Sequence, residues 1–317
     1  MTGLRRWAGP TVAAAVLAVV IVRLGTGPFI AGLEAVDGRA LLAGAGIVLV
    51  ATVCGAWRWT VVARGLGLRL SLPSAVAAYY RALFLNLTLP SGVAGDVHRG
   101  VRHGRDVDDV GRALRAVVWE RTAGQVVQVV LTIAVLLAFP SPVRPFMPFA
   151  AAALVAVAVA LVLLVRGRPA RGRSRLARMR NAAVSDVREG VLHRHALPVV
   201  VVGSAVAVVG YAVTFLVAAR AAGVTAPISR LLPLALLAIL AMVLPSVAGW
   251  GPREGATAWV FSAAGIGGSR GAATAVAYGV IVLVAFLPGA VVLVAGWLPR
   301  LRPRRRVIFG PEGATDA

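Results

Sequence analysis

Long apolar runs alternate along this chain with short connections that carry arginine. Apolar stretches cover residues 10–22, 40–57, 116–138, 149–165, 197–219 and 272–297. Several reach or approach the ~20 residues that cross a bilayer as helix. Only helices and closed barrels satisfy their backbone in lipid, so runs of this length predict an all-α polytopic integral membrane protein. Two further segments, 72–95 and 231–266, are apolar but interrupted by helix breakers and charges.

The interruptions resemble each other. Residues 89–100 read Leu89-Pro90-Ser91-Gly92-Val93-Ala94-Gly95-Asp96-Val97-His98-Arg99-Gly100, and residues 244–255 read Leu244-Pro245-Ser246-Val247-Ala248-Gly249-Trp250-Gly251-Pro252-Arg253-Glu254-Gly255. Both run Leu-Pro-Ser, Val-Ala-Gly, a charged pair, then Gly. Broken backbone is tolerated at membrane depth only where protein buries it or a cavity receives it. Pro90, Gly95, Pro245, Gly249 and Gly251 are the expected hinge positions.

Arginine placement sets the expected orientation. Arg5 and Arg6 precede the first run, which resembles a signal peptide and reads better as an uncleaved first span. Trp57-Arg58-Trp59 is expected to end the second span at the interface, where such aromatics gather. Arg64 and Arg69, the 96–115 stretch, the 166–195 loop and Arg300 to Arg306 are all expected inside. Segments 72–95 and 231–266 then enter and leave by one face each, from opposite sides. The expectation is six full spans plus two re-entrant hairpins in an inverted repeat, a pattern of many transporters. Eight simple spans are the alternative. Residues 1–298 form one transmembrane domain, and 299–317 a basic cytoplasmic tail expected to be disordered. Both termini are expected inside the cell membrane.

Composition narrows the function. The chain is 59% hydrophobic with a net charge of +21, and all 33 basic residues are Arg. No basic stretch carries the interleaved aromatics of a nucleic-acid face, so basic loops are read as meeting anionic headgroups. His98, His103, His193 and His195 lack metal-ligand spacing, and no Walker loop or nucleophile elbow occurs, so no metal or cofactor is expected. Cys54 is the sole cysteine.

The charges within apolar sequence carry the candidate chemistry. Arg81, Arg99 and Arg253 suit a phosphate, whose oxygens a planar guanidinium binds in pairs. Asp96 and Glu254 stand beside two of them. They contact a headgroup amine, or they only neutralise the arginines and clamp the hairpins. Glu120 is a counter-ion for Arg81, Arg99 or Arg253. Arg121, Gln125, Gln128 and Thr132 share one helix face, either for a headgroup or for inter-helix hydrogen bonds.

Tyr79-Tyr80-Arg81-Ala82-Leu83-Phe84-Leu85-Asn86-Leu87-Thr88-Leu89-Pro90, running on to Gly95-Asp96-Val97-His98-Arg99, resembles the lysylphosphatidylglycerol synthase transmembrane family. Glu120-Arg121-x-x-Gly124 and the 244–255 element match the same pattern in the same order. Ala94 and Ala248 stand where the family often has a first Gly. The resemblance implies a flippase-like domain handling anionic or aminoacylated phospholipids, with Arg81, Asn86, Asp96, Arg99, Glu120, Arg121, Arg253 and Glu254 at the headgroup. The chain carries no aminoacyl-transfer domain after the last span, so lysyl-lipid synthesis is not expected of it. The alternatives are an enzyme of polyprenyl-phosphate or lipid-linked sugar metabolism, and a partner for a separate lipid-modifying enzyme.

Overall fold

The computed structural model describes residues 25–89, 92–167, 175–242 and 251–295, together with Ala18, Ile21 and Val22. Most of the expected first span, the hinge residues Pro90, Pro245 and Gly249, and the 299–317 tail lie outside the described residues. The described chain is helical, with no strand. In order the helices are α1 (Gly27–Glu34), α2 (Gly38–Gly65), α3 (Leu72–Thr88), α4 (Ala94–Asp106), α5 (Val110–Ala138), α6 (Met147–Arg166), α7 (Arg175–Asp186), α8 (Ala196–Ala221), α9 (Ile228–Ala241), α10 (Pro252–Ala263) and α11 (Gly268–Ala295). Five of these stretches are long and apolar enough to cross a membrane: α2, α5, α6 with the 3₁₀ turn before it, α8 and α11.

The interrupted segments each contain two helices, α3 and α4 or α9 and α10, that pack on each other. These helices have 17, 13, 14 and 12 residues. At 1.5 Å per residue they extend about 26, 20, 21 and 18 Å, short of the ~30 Å hydrocarbon core. The basic 96–115 stretch is therefore not a loop. Its first part is helix α4, and Asp109 then starts α5 by accepting from Arg112 N at 2.8 Å. Likewise α2 does not end at Trp57-Arg58-Trp59 but runs on to Gly65. Trp59 is fully buried there and Arg58 nearly so, because α5 and α8 supply partners for the charge.

Sequence explains the turns. Asn86, in the last turn of α3, reaches across the break: its Oδ1 accepts from Gly95 N at 2.7 Å, one of the N–H groups α4 leaves free at its start. Gly95 is a contact point rather than a hinge. A Cβ there would lie 2.0 Å from the Ala82 carbonyl oxygen, so the two helices touch backbone to backbone. The preceding Ala94 is only partly buried, and its methyl is accommodated. In the second pair Gly251 has φ 111°, which only glycine adopts readily, and Pro252 opens α10. Glu254 Oε2 accepts from Gly251 N at 2.7 Å and closes the helix start.

α11 lies between the two pairs, against α3 on one side and α10 on the other. Its Tyr278 and Ile281 join Phe215, Leu231, Leu234 and Phe261 in the main core. The rings of Phe215 and Phe261 meet edge-on at 6.2 Å. A second core unites Trp59, Val62 and Leu66 of the α2 end with Ala113, Ala116 and Val117 of α5. α6 buries no side chain and presents Phe149, Val155 and Leu163 outward, as lipid contact requires.

Replacing Gly95 by Ala is expected to lower the thermal midpoint of the purified protein in detergent. The two helices must part to admit the methyl, and overpacking of this kind costs about 1–3 kcal/mol. An unchanged midpoint would show that the backbone approach at Ala82 is not needed.

Candidate functional site

Several buried charges of the helical interior take partners from other elements. Glu120 of α5, fully buried, is the centre. Its Oε1 accepts from Arg58 Nε at 2.8 Å, and its Oε2 from Arg99 Nη2 at 2.6 Å. Arg58 also donates to Ser204 Oγ of α8 at 2.7 Å. Arg99, 1% exposed, donates from Nε to Asp96 Oδ1 at 3.0 Å. Its guanidinium lies 4.6 Å from the Trp59 ring centre and 4.5 Å from that of Tyr79, a cation held between two aromatic faces. Asp96 Oδ2 accepts from Asn86 Nδ2 at 2.8 Å and pairs with Arg121 Nη1. One network thus ties α2, α3, α4, α5 and α8 together.

The second cluster is local. Arg253 donates from Nε to Glu254 Oε1 at 2.9 Å, and its guanidinium lies 5.4 Å from the Tyr278 ring centre. Counter-ion assignments follow: Glu120 serves Arg99, as well as Arg58, whereas Arg253 pairs with Glu254. Among these seven residues, four guanidiniums face three carboxylates, so one positive charge is left uncompensated.

A cavity of about 240 Å³ opens between the clusters. Arg58 enters it from α2, Tyr79 and Asn86 from α3, and Arg121, Gln125 and Gln128 from α5. Ser204 and Tyr211 line it from α8, Arg253 from α10 and Tyr278 from α11. Both helix pairs contribute, and Tyr211 and Tyr278 sit near the middle of their long helices. Gly124 makes room for the Arg58 guanidinium, since a Cβ there would stand 2.8 Å from Nη1.

Four of the helices around this cavity, α2, α5, α8 and α9, also line a second, apolar space of about 870 Å³. On α2 the polar cavity takes residues 51–58 and the apolar one 37–43; on α5 they take 121–128 and 131–135. On α8 the ranges are 204–211 and 208–221, with Val208 lining both. α9 gives Ile239 to the first and Ile228, Leu232 and Leu236 to the second. The two spaces are neighbours that share Val208; the cationic one lies at helix mid-length and the apolar one toward the end marked by Asp37, Arg39 and Arg220.

Of the residues singled out in sequence, Asn86, Arg121, Arg253, Gln125 and Gln128 line the polar cavity. Asp96, Arg99, Glu120 and Glu254 stand behind it, as partners of the lining arginines or of one another. Arg81 is buried on α3 and is not part of the lining; Thr132 is buried one turn beyond Gln128. Arg58 was assigned to an interface and is instead a lining cation. The signal that identifies it is an Arg inside a run that is apolar on both sides, which belongs in a bundle interior.

A polytopic helical membrane protein with two short helix pairs around a cationic mid-helix cavity is the class these features define. The chain belongs to the lysylphosphatidylglycerol synthase TM region family, whose model matches residues 6–309. No curated protein and no solved structure matches it.

Proposed function

We propose that this protein is a flippase-like translocase of anionic or aminoacylated phospholipids in the cell membrane, with both termini cytoplasmic. The observation that carries the reading is the pair of neighbouring spaces. A cationic cavity with an apolar groove beside it along α2, α5, α8 and α9 matches the polarity of a lipid headgroup and its acyl chain. The headgroup phosphate is held by Arg58, Arg121 and Arg253, and an acyl chain lies against α5, α8 and α9. The apolar part runs fourteen residues along α8, from Val208 to Ala221. That is about 20 Å, enough for one leaflet of a ~30 Å core. The α3–α4 and α9–α10 pairs are the two hairpins, entering from opposite faces, and their short arms support that placement.

Reconstitution tests the reading. Vesicles containing the protein should move a labelled phosphatidylglycerol between leaflets faster than protein-free vesicles, and mass spectrometry should recover the lipid unaltered. A new lipid product would replace the translocase reading with an enzymatic one, and unchanged leaflet distribution would remove it.

A further inference from the structure

We propose that the cavity selects lipids with a net anionic, hydroxyl-bearing headgroup and rejects their aminoacylated forms; this rests on the headgroup reading above. The family's name invites the opposite expectation, and the distribution of carboxylates decides against it. The chain has twelve acidic residues. Ten fall within the described residues and none of them lines the polar cavity. The other two, Glu312 and Asp316, lie in the C-terminal tail, beyond the described residues.

The three nearest acids are already engaged at both oxygens. Glu120 accepts from Arg58 at Oε1 and from Arg99 at Oε2. Asp96 accepts from Arg99 at Oδ1 and from Asn86 at Oδ2. Glu254 accepts from Arg253 at Oε1 and from Gly251 N at Oε2. An ammonium group brought into about 240 Å³ beside Arg58, Arg121 and Arg253 would meet like charge with no carboxylate to answer it. Like-charge contact out of water costs several kcal/mol in comparable settings, enough to set specificity by rejection. Headgroup hydroxyls fare differently. Gln125, Gln128 and the tyrosines offer donors and acceptors, and Gln125 Oε1 has no hydrogen-bond partner among the described residues. A phosphodiester with a free polyol end fits this lining.

Binding to the purified protein in detergent tests selectivity apart from transport. The probes are dioctanoyl-phosphatidylglycerol, its lysyl ester and dioctanoyl-phosphatidylcholine. The expected result is that phosphatidylglycerol binds at least about tenfold more tightly than the lysyl ester. Gln125→Glu keeps the side-chain shape and adds a carboxylate to the lining; it should narrow that preference by about tenfold. Equal or tighter binding of the lysyl ester by the wild-type protein would overturn the selectivity while leaving a lipid site standing. An unchanged preference in Gln125→Glu would also overturn it. Binding of none of the three would overturn the headgroup reading itself.

Discussion

Glu120→Gln is expected to destabilise the protein more than any other single change in the cluster. The substitution is nearly isosteric, so it leaves Arg58 and Arg99 in place and removes the charge that both of them use. Both guanidiniums are buried, and neither can turn to water without breaking the contacts of Arg58 with Ser204 or of Arg99 with the Trp59 and Tyr79 faces. Breaking a buried pair from one side typically costs about 3–5 kcal/mol. The thermal midpoint in detergent should fall sharply, and yield with it. Removing one of the orphaned charges as well, in Glu120→Gln with Arg58→Gln, should recover part of the loss. A midpoint shift under about 2 °C, roughly what 1 kcal/mol is worth in a chain this long, would show that Glu120 does not anchor the network.

Arg121→Ala should do the reverse, abolishing most transport while sparing the fold. Arg121 is the exposed member of the network, with 39% of its side chain accessible. Its partner Asp96 keeps Arg99 and Asn86, so no buried charge is stranded. Loss of one charge-assisted contact to a phosphate is worth about 1.5–3 kcal/mol, or roughly ten- to a hundredfold in binding. The transfer rate of labelled phosphatidylglycerol should fall by that order at an unchanged thermal midpoint. Arg253→Ala is a less clean test. Arg253 is 2% exposed, and its loss leaves the fully buried Glu254 with the Gly251 N–H in place of a cation. A transport defect there would mix folding with binding.

Hydropathy alone located most of the helices. The expected runs 149–165 and 197–219 correspond to Met147–Arg166 and Ala196–Ala221. The family was legible because the Leu-Pro-Ser elements and Glu120-Arg121-x-x-Gly124 occur together and in order. What stayed hidden was pairing. A charged residue in an apolar run says that a partner exists, not which one. Arg58 bonds a residue 62 positions away and another 146 away, and no local pattern encodes either. The flanking tryptophans made an interface look natural there, yet Trp59 is buried and only Trp57 is exposed. The basic α4 was misread for a related reason. Its charges resembled a cytoplasmic loop, but Asp96, Arg99 and His103 all turn into the bundle along one face. The division of labour among the acids was open in sequence. The structure gives Asp96, Glu120 and Glu254 arginine and backbone partners, across elements for Asp96 and Glu120 and within one helix start for Glu254.

We propose that three arginines, Arg58 of α2, Arg121 of α5 and Arg253 of α10, hold a lipid phosphate at mid-membrane. A structure of the protein in phosphatidylglycerol nanodiscs tests it most directly. The account predicts headgroup density between Arg58, Arg121 and Arg253, with an acyl chain running past Val208 toward Leu232. A cavity holding only water, with ordered lipid confined to the outer surface of α6, would contradict it.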